Sequence, residues 1–237
     1  MHAPRFSRTD WLAPLLIALP LLLILQGLDI DRTTLDAVYD ARMGGFPLRR
    51  AWPLAGPLHT WVRVPVIVCG VALLAALVAT GFSARWRVWR RPLAYLLFGM
   101  VLGAALVAVI KHFASAACPY RLTMYGGTLA RLGLFDVLPP GTPAGRCWPG
   151  GHASTAFALF PWYFIVRDHA GRRAARYTLA AILGFGLLLT AVQVLRGIHW
   201  PSAQVYTALL CWYVALGLHR LMFRHARATT ASPPMQL

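Results

Sequence analysis

The sequence contains no glutamate and only one lysine, Lys111. Its seven acidic residues are all aspartate, and the other 22 basic residues are all arginine. Charged residues make up 13% of the 237 positions, against 58% hydrophobic residues. A water-soluble domain carries roughly twice that charged share, so the chain reads as a membrane protein. It also lacks internal repeats, heptads and low-complexity blocks. Apolar runs instead extend over the whole chain, which favours one membrane bundle. The formal net charge of +16 does not imply nucleic acid as a partner. The basic residues stand in short clusters between apolar runs, not along one soluble face.

Crossing a hydrocarbon core of ~30 Å takes about 20 mostly apolar residues. Six segments meet this: 11–28, 62–82, 92–113, 152–167, 177–195 and 200–219. Arg5 and Arg8 precede the first run, as in a signal peptide, but no small-x-small cleavage site follows it, and an uncleaved span is expected. Basic residues gather in cytoplasmic loops. Loops 83–91 ("SARWRVWRR") and 167–176 ("RDHAGRRAAR") are the basic ones, and Arg220, Arg224 and Arg227 follow the last run. They alternate with loops 29–61 and 114–151, which hold most of the aspartates. Six transmembrane helices with both termini cytoplasmic satisfy the rule. The expected fold is therefore an all-α, polytopic membrane protein, one six-helix domain over 1–224 with a disordered tail over 225–237. In "DRTTLDAVYDARM", Leu35, Val38, Tyr39 and Met43 share one helical face, which predicts a short interfacial helix after the first span.

This topology gathers three separated segments at one outer membrane edge: "VIKHFASAACPYRL", "CWPGGHAST" and "VQVLRGIHWPSAQ". They supply Lys111, Arg121, His152, Arg196 and His199. Ionisable groups near membrane depth are costly and mark functional sites. Three cations suit a multiply charged anion, with arginine offering a bidentate fork to phosphate oxygens. Gly150 and Gly151 precede a predicted helix start, where backbone N–H groups approach an anion. Two histidines divide the remaining work, one as nucleophile and one as acid for the leaving oxygen. The set performs phosphoryl transfer without a metal or other cofactor, and no close-spaced ligand motif is present.

The three segments resemble the signature of the type-2 phosphatidic acid phosphatase superfamily: K-x-x-x-x-x-x-R-P, P-S-G-H, and S-R-x-x-x-x-x-H-x-x-x-D. Order, spacing and outward orientation agree. The resemblance implies a phosphohistidine formed on His199, His152 as leaving-group acid and later as base for water, and Lys111 with Arg196 and Arg121 on the phosphate oxygens. This sequence departs from the pattern at several positions. Cys118 replaces the arginine of the first motif, Gly150 the serine of the second, and Val192 and Gln193 the Ser-Arg of the third. Ala203 stands where the aspartate that orients the nucleophile belongs. Gln204, Gln193 or an aspartate from 29, 31, 36, 40 or 136 is the candidate replacement.

Cys118 and Cys147 both fall in the outward loop, each beside a motif, and an oxidising compartment permits a disulfide between them. Cys69 and Cys211 lie inside spans as packing residues. Taken together, the sequence predicts an integral membrane phosphatase of the bacterial inner membrane with its site facing the periplasm. Its substrate is a phospholipid, a polyprenyl pyrophosphate or a lipid A type molecule. A lipid phosphotransferase, or a non-catalytic binder or transporter of anionic lipid, is the alternative.

Overall fold

The structure is a computed structural model that describes residues 7–133, 136–137, 140–141 and 144–223. The tail expected over 225–237 lies outside the described residues, as do Arg5, Arg224 and Arg227. The described chain is helical, with isolated bridges in place of strands. The first helix, α1 (Arg8–Leu22), opens on a capping box in which the Ser7 hydroxyl accepts from Thr9 N–H and the Asp10 carboxylate accepts from Ser7 N–H. A wider turn, Leu23–Gly27, extends it. After it come α2 (Ile30–Asp36), α3 (Val64–Ala79) and α4 (Arg90–Phe113). A single helical turn over Ser154–Phe157 leads into α5 (Phe160–Leu195), and α6 (Pro201–Phe223) completes the bundle.

Among the described residues, five helical stretches are long and apolar enough to cross a membrane: Arg8–Gly27, Trp61–Ala79, Ala84–Phe113, Ser154–Leu195 and Pro201–Phe223. The expected segments 152–167 and 177–195 are joined in the fourth of these, and the expected loop 167–176 is helical on both sides of Gly171. A straight helix through 42 residues would be about 63 Å long at ~1.5 Å per residue, twice a hydrocarbon core. Gly171, at φ 86° and ψ 175°, breaks the run. Only glycine enters that conformation cheaply. Before and after it the chain doubles back, since a Cβ on Gly186 would lie 2.2 Å from the Phe157 ring.

The interfacial helix is shorter than its apolar pattern implies. Leu35 is fully buried, but α2 stops at Asp36 and Met43 is exposed. Asp40 ends any continuation, because its carboxylate accepts from Arg42 and Met43 N–H in a tight turn.

Helix α4 carries the register that positions the site. Gly99 and Gly103 lie one turn apart; a Cβ on the first would meet Pro161 at 2.6 Å and one on the second would meet Cys211 at 3.6 Å. Small residues let helices approach closely inside a membrane. Val107, fully buried, continues the same face, and Lys111 is the next residue along it. Below the site, Tyr95, Phe164, Trp212 and Leu216 fill a core between α4, α5 and α6. Above it, Leu35, Phe46, Leu122, Tyr125 and Trp200 form a second cluster that packs the connecting segments together. Many apolar side chains on α1 and α3, such as Leu16, Ile17, Ile67 and Val71, point away from both clusters.

Candidate active site

The segment after α4 and the segment before His152 run side by side. Arg146 N–H donates to the Ala114 carbonyl and Cys147 N–H to the Ala116 carbonyl, both at 3.0 Å. A disulfide joins Cys118 to Cys147. This pairing, together with the α4 register, brings the motif residues around one cavity of about 770 Å³. Lys111, Arg121, Gly151, His152, Gln193, Arg196 and His199 all line it.

His199 is buried, and its Nδ1 lies 3.1 Å from the Cys147 carbonyl oxygen. A carbonyl only accepts, so Nδ1 carries the proton and Nε2 keeps the lone pair. The backbone of Cys147 thus takes the orienting position that Ala203 leaves vacant, with a disulfide sulfur 3.3 Å from the same nitrogen. Burial, with Lys111 second, pushes the His199 pKa down to about 3. The imidazole is therefore neutral at pH 7.

Among the described residues, none of the candidate replacements for the aspartate bonds His199, and both amide atoms of Gln204 are buried without a hydrogen bond. Gln193 Nε2 donates to His59 Nδ1 at 3.1 Å. Gln204 turns toward Gly150, where a Cβ would fall 1.9 Å from its Oε1. Among the aspartates, Asp31 accepts from Ser202 N–H at 2.9 Å and from the Ser202 hydroxyl, and so caps the start of α6. Asp36 accepts from the Tyr125 hydroxyl and Asp136 from Gly133 N–H, both at 2.7 Å. Asp29 pairs with Arg131 at 3.6 Å, and Asp40 holds its own turn.

The two glycines of the second motif differ in use. Gly150 N–H donates to the Ala203 carbonyl at 3.2 Å, so it does not offer the free anion-binding group expected of it. Its lack of a side chain makes room for Gln204. Gly151 faces the cavity, and a Cβ there would stand 3.2 Å from Lys111 Nζ. Arg121 Nη1 reaches the Gly145 carbonyl at 3.4 Å, which keeps its guanidinium at the rim.

His152 Nε2 lies 3.1 Å from the Leu58 carbonyl and so donates to it. Its ring is tilted against that of His59, with centroids 4.6 Å apart. Burial pushes both pKa values down to about 4, aided at His152 by His59 and at His59 by Arg196, Arg63 and Lys111. Arg196 Nε donates to the Arg49 carbonyl at 3.1 Å, while its buried Nη1 makes no hydrogen bond among the described residues. His59, Arg49, Arg50 and Arg63 therefore belong to the cavity, although sequence reasoning did not select them. The signal was available: basic residues are misplaced in a loop assigned to the outer side.

Chemically, the arrangement offers a dense positive field, three neutral imidazoles with defined tautomers, and a half-buried ammonium. It can hold a phosphate group and exchange protons with it. No curated protein and no solved structure matches the chain. Residues 92–227, more than half of it, match the PAP2 superfamily and include Lys111, His152 and His199. With apolar spans, a cationic cavity and that match together, the chain belongs to the PAP2 superfamily.

Proposed function

We propose that the protein hydrolyses a phosphate ester or diphosphate of a lipid, through a covalent phosphohistidine, at the periplasmic face of a bacterial inner membrane. The observation that carries the reading is the bond from His199 Nδ1–H to the Cys147 carbonyl. It leaves Nε2 with its lone pair on a buried ring that lines the cationic cavity. Nε2 attacks phosphorus, and the bond to the lipid oxygen breaks. His152 Nε2–H, which donates to a carbonyl oxygen, passes its proton to the leaving oxygen instead. A dianionic phosphate beside His152 raises its pKa and supplies the protonated form that this step needs. Water, deprotonated by His152, then cleaves the phosphorus–nitrogen bond and releases inorganic phosphate. Lys111, Arg196 and Arg121 neutralise the equatorial oxygens throughout.

Two features support this orientation. A disulfide in the cavity wall favours an oxidising compartment. Asp10 at the start of α1 and His219 near the end of α6 contact Arg167 and Asp168, close to the Gly171 turn and away from the cavity. Six crossings, with α5 counted as two arms and both termini cytoplasmic, accommodate both.

The test is phosphate release from a panel of lipid phosphates by the purified protein. His199→Ala lowers turnover by at least about 10³-fold and His152→Ala by about 10²–10⁴-fold. Turnover that survives His199→Ala would overturn the nucleophile assignment.

A further inference from the structure

Residues 46–63 lie outside the stretch that matches the family, 92–227, yet they build one wall of the cavity. Phe46 anchors one end of this wall, its ring lying 2.2 Å from where a Cβ on Gly197 would be. The carbonyls of Arg49 and Leu58 accept from Arg196 and His152. The wall is thus fastened to the catalytic groups by its backbone, and its side chains are left to face the cavity.

Those side chains add Arg49, Arg50 and Arg63 to a cavity already lined by Lys111, Arg121, Arg146 and Arg196, with no carboxylate among the described residues of its lining. Arg49 is held in place: its guanidinium carbon sits 3.7 Å from the centre of the Tyr120 ring, and Tyr120 N–H donates to the Gly197 carbonyl at 3.0 Å. Arg63 Nε reaches the His59 carbonyl at 3.3 Å. One phosphate group engaged by Lys111, Arg196 and the imidazoles leaves this second set of guanidinium groups uncompensated on the facing wall. Like charges collected around one cavity repel unless an anion lies between them. Arg196, whose buried Nη1 makes no hydrogen bond among the described residues, links the two sets through its bond to the Arg49 carbonyl.

We propose that Arg49 and Arg63 form a second phosphate subsite next to the reacting one, so that the preferred headgroup carries two phosphate groups. This rests on the reading of the cavity as a phosphate site. The same chemistry has two sources: a diphosphate, with both groups on one bridging oxygen, or two phosphates on separate oxygens of one headgroup.

The test measures binding to the full chain in detergent by titration calorimetry, which does not depend on turnover. The probes are inorganic phosphate, methylenediphosphonate and propane-1,3-diol bisphosphate. The expected result is that one two-phosphorus probe binds at least ~10-fold more tightly than phosphate, through added guanidinium–phosphate pairs. Preference for the diphosphonate identifies the bridged source, and preference for the bisphosphate the separated one. Arg49→Ala and Arg63→Ala reduce that ratio to near unity. Arg63→Lys recovers it only in part, because an ammonium lacks the fork. Arg172→Ala, which removes one charge beside Gly171, keeps the ratio. Equal affinity for all three probes, or a ratio equally lowered by Arg172→Ala, overturns the subsite. A protein that binds with the expected ratio but releases phosphate from no lipid overturns the hydrolase reading and leaves the subsite standing.

Discussion

At the scale of single residues, the second motif shows how one substitution governs another. Gly150 carries no side chain because Gln204 fills that space, its Oε1 lying 1.9 Å from a Cβ on Gly150. Restoring the family's serine by Gly150→Ser therefore overpacks the site, at a cost of about 1–3 kcal/mol, and displaces the turn that leads to His152. Combining it with Gln204→Ala should recover most of the loss, a coupling read from a double-mutant cycle of thermal midpoints. Additive losses would show that the two positions do not compete. The buried imidazoles make a second prediction. His199, His152 and His59 have pKa values near 3, 4 and 4 in the folded chain, against about 6.5 unfolded. Across that interval the unfolded chain binds more protons, so stability is highest above pH 6.5 and falls as pH drops toward 4. Thermal midpoints measured from pH 7.5 to 4.5 should decline over this range, and His59→Ala should make the decline shallower. An unchanged slope in that variant would show that His59 is not held neutral. The residues legible in the sequence were those with a motif around them: Lys111, His152 and His199. His59, Arg49 and Arg63 lay in a segment without one. Nothing in local spacing says that its backbone folds onto Arg196 and His152.

At the scale of elements, the cross-link between Cys118 and Cys147 does more than close a loop. Cys147 supplies the carbonyl that fixes the His199 tautomer, so the bond couples the end of α4 to the nucleophile before α6. An aspartate on α6 itself would make the imidazole independent of that segment. With Ala203 in its place, the nucleophile depends on where the 144–149 strip lies. Reduction, or the Cys118→Ser/Cys147→Ser variant, should lower stability by about 2–4 kcal/mol. It should also lower kcat more than it raises KM, because Lys111 on α4 and Arg196 at the end of α5 keep their places. Reductant should slow the wild type and leave the double variant unaffected. An equal effect on both would locate the sensitivity elsewhere. The existence and type of the long helices were legible because apolar runs of this length have few other folds. The joining of 154–195 was not. A glycine in "HAGRRAA" reads as one loop residue among several, whereas a single positive φ is enough to turn the chain and let helix continue on either side.

At the scale of the whole molecule, charge is sorted toward two ends. One end holds the cavity and its guanidinium groups. The other holds a buried chain of partners: Arg167 bonds both carboxylate oxygens of Asp10 at 2.9 and 3.0 Å and also pairs with Asp168, which His219 contacts at 2.9 Å. This network fastens α1 and α6 to the Gly171 turn, and it requires the described ends of the bundle to lie together. The proposed topology, six crossings with both termini cytoplasmic, counts α5 as two arms. Counting arginines per loop would not by itself have settled the direction, since Arg49, Arg50 and Arg63 stand on the cavity side against the usual bias. The direction is testable with single cysteines at exposed positions, Thr60→Cys beside the cavity and Arg172→Cys beside Gly171. In intact cells with a permeable outer membrane, a charged maleimide should label position 60 directly and position 172 only after the inner membrane is opened. The opposite pattern would put the cavity in the cytoplasm. The disulfide would then face a reducing compartment, and hydrolysis would be confined to lipids of the inner leaflet.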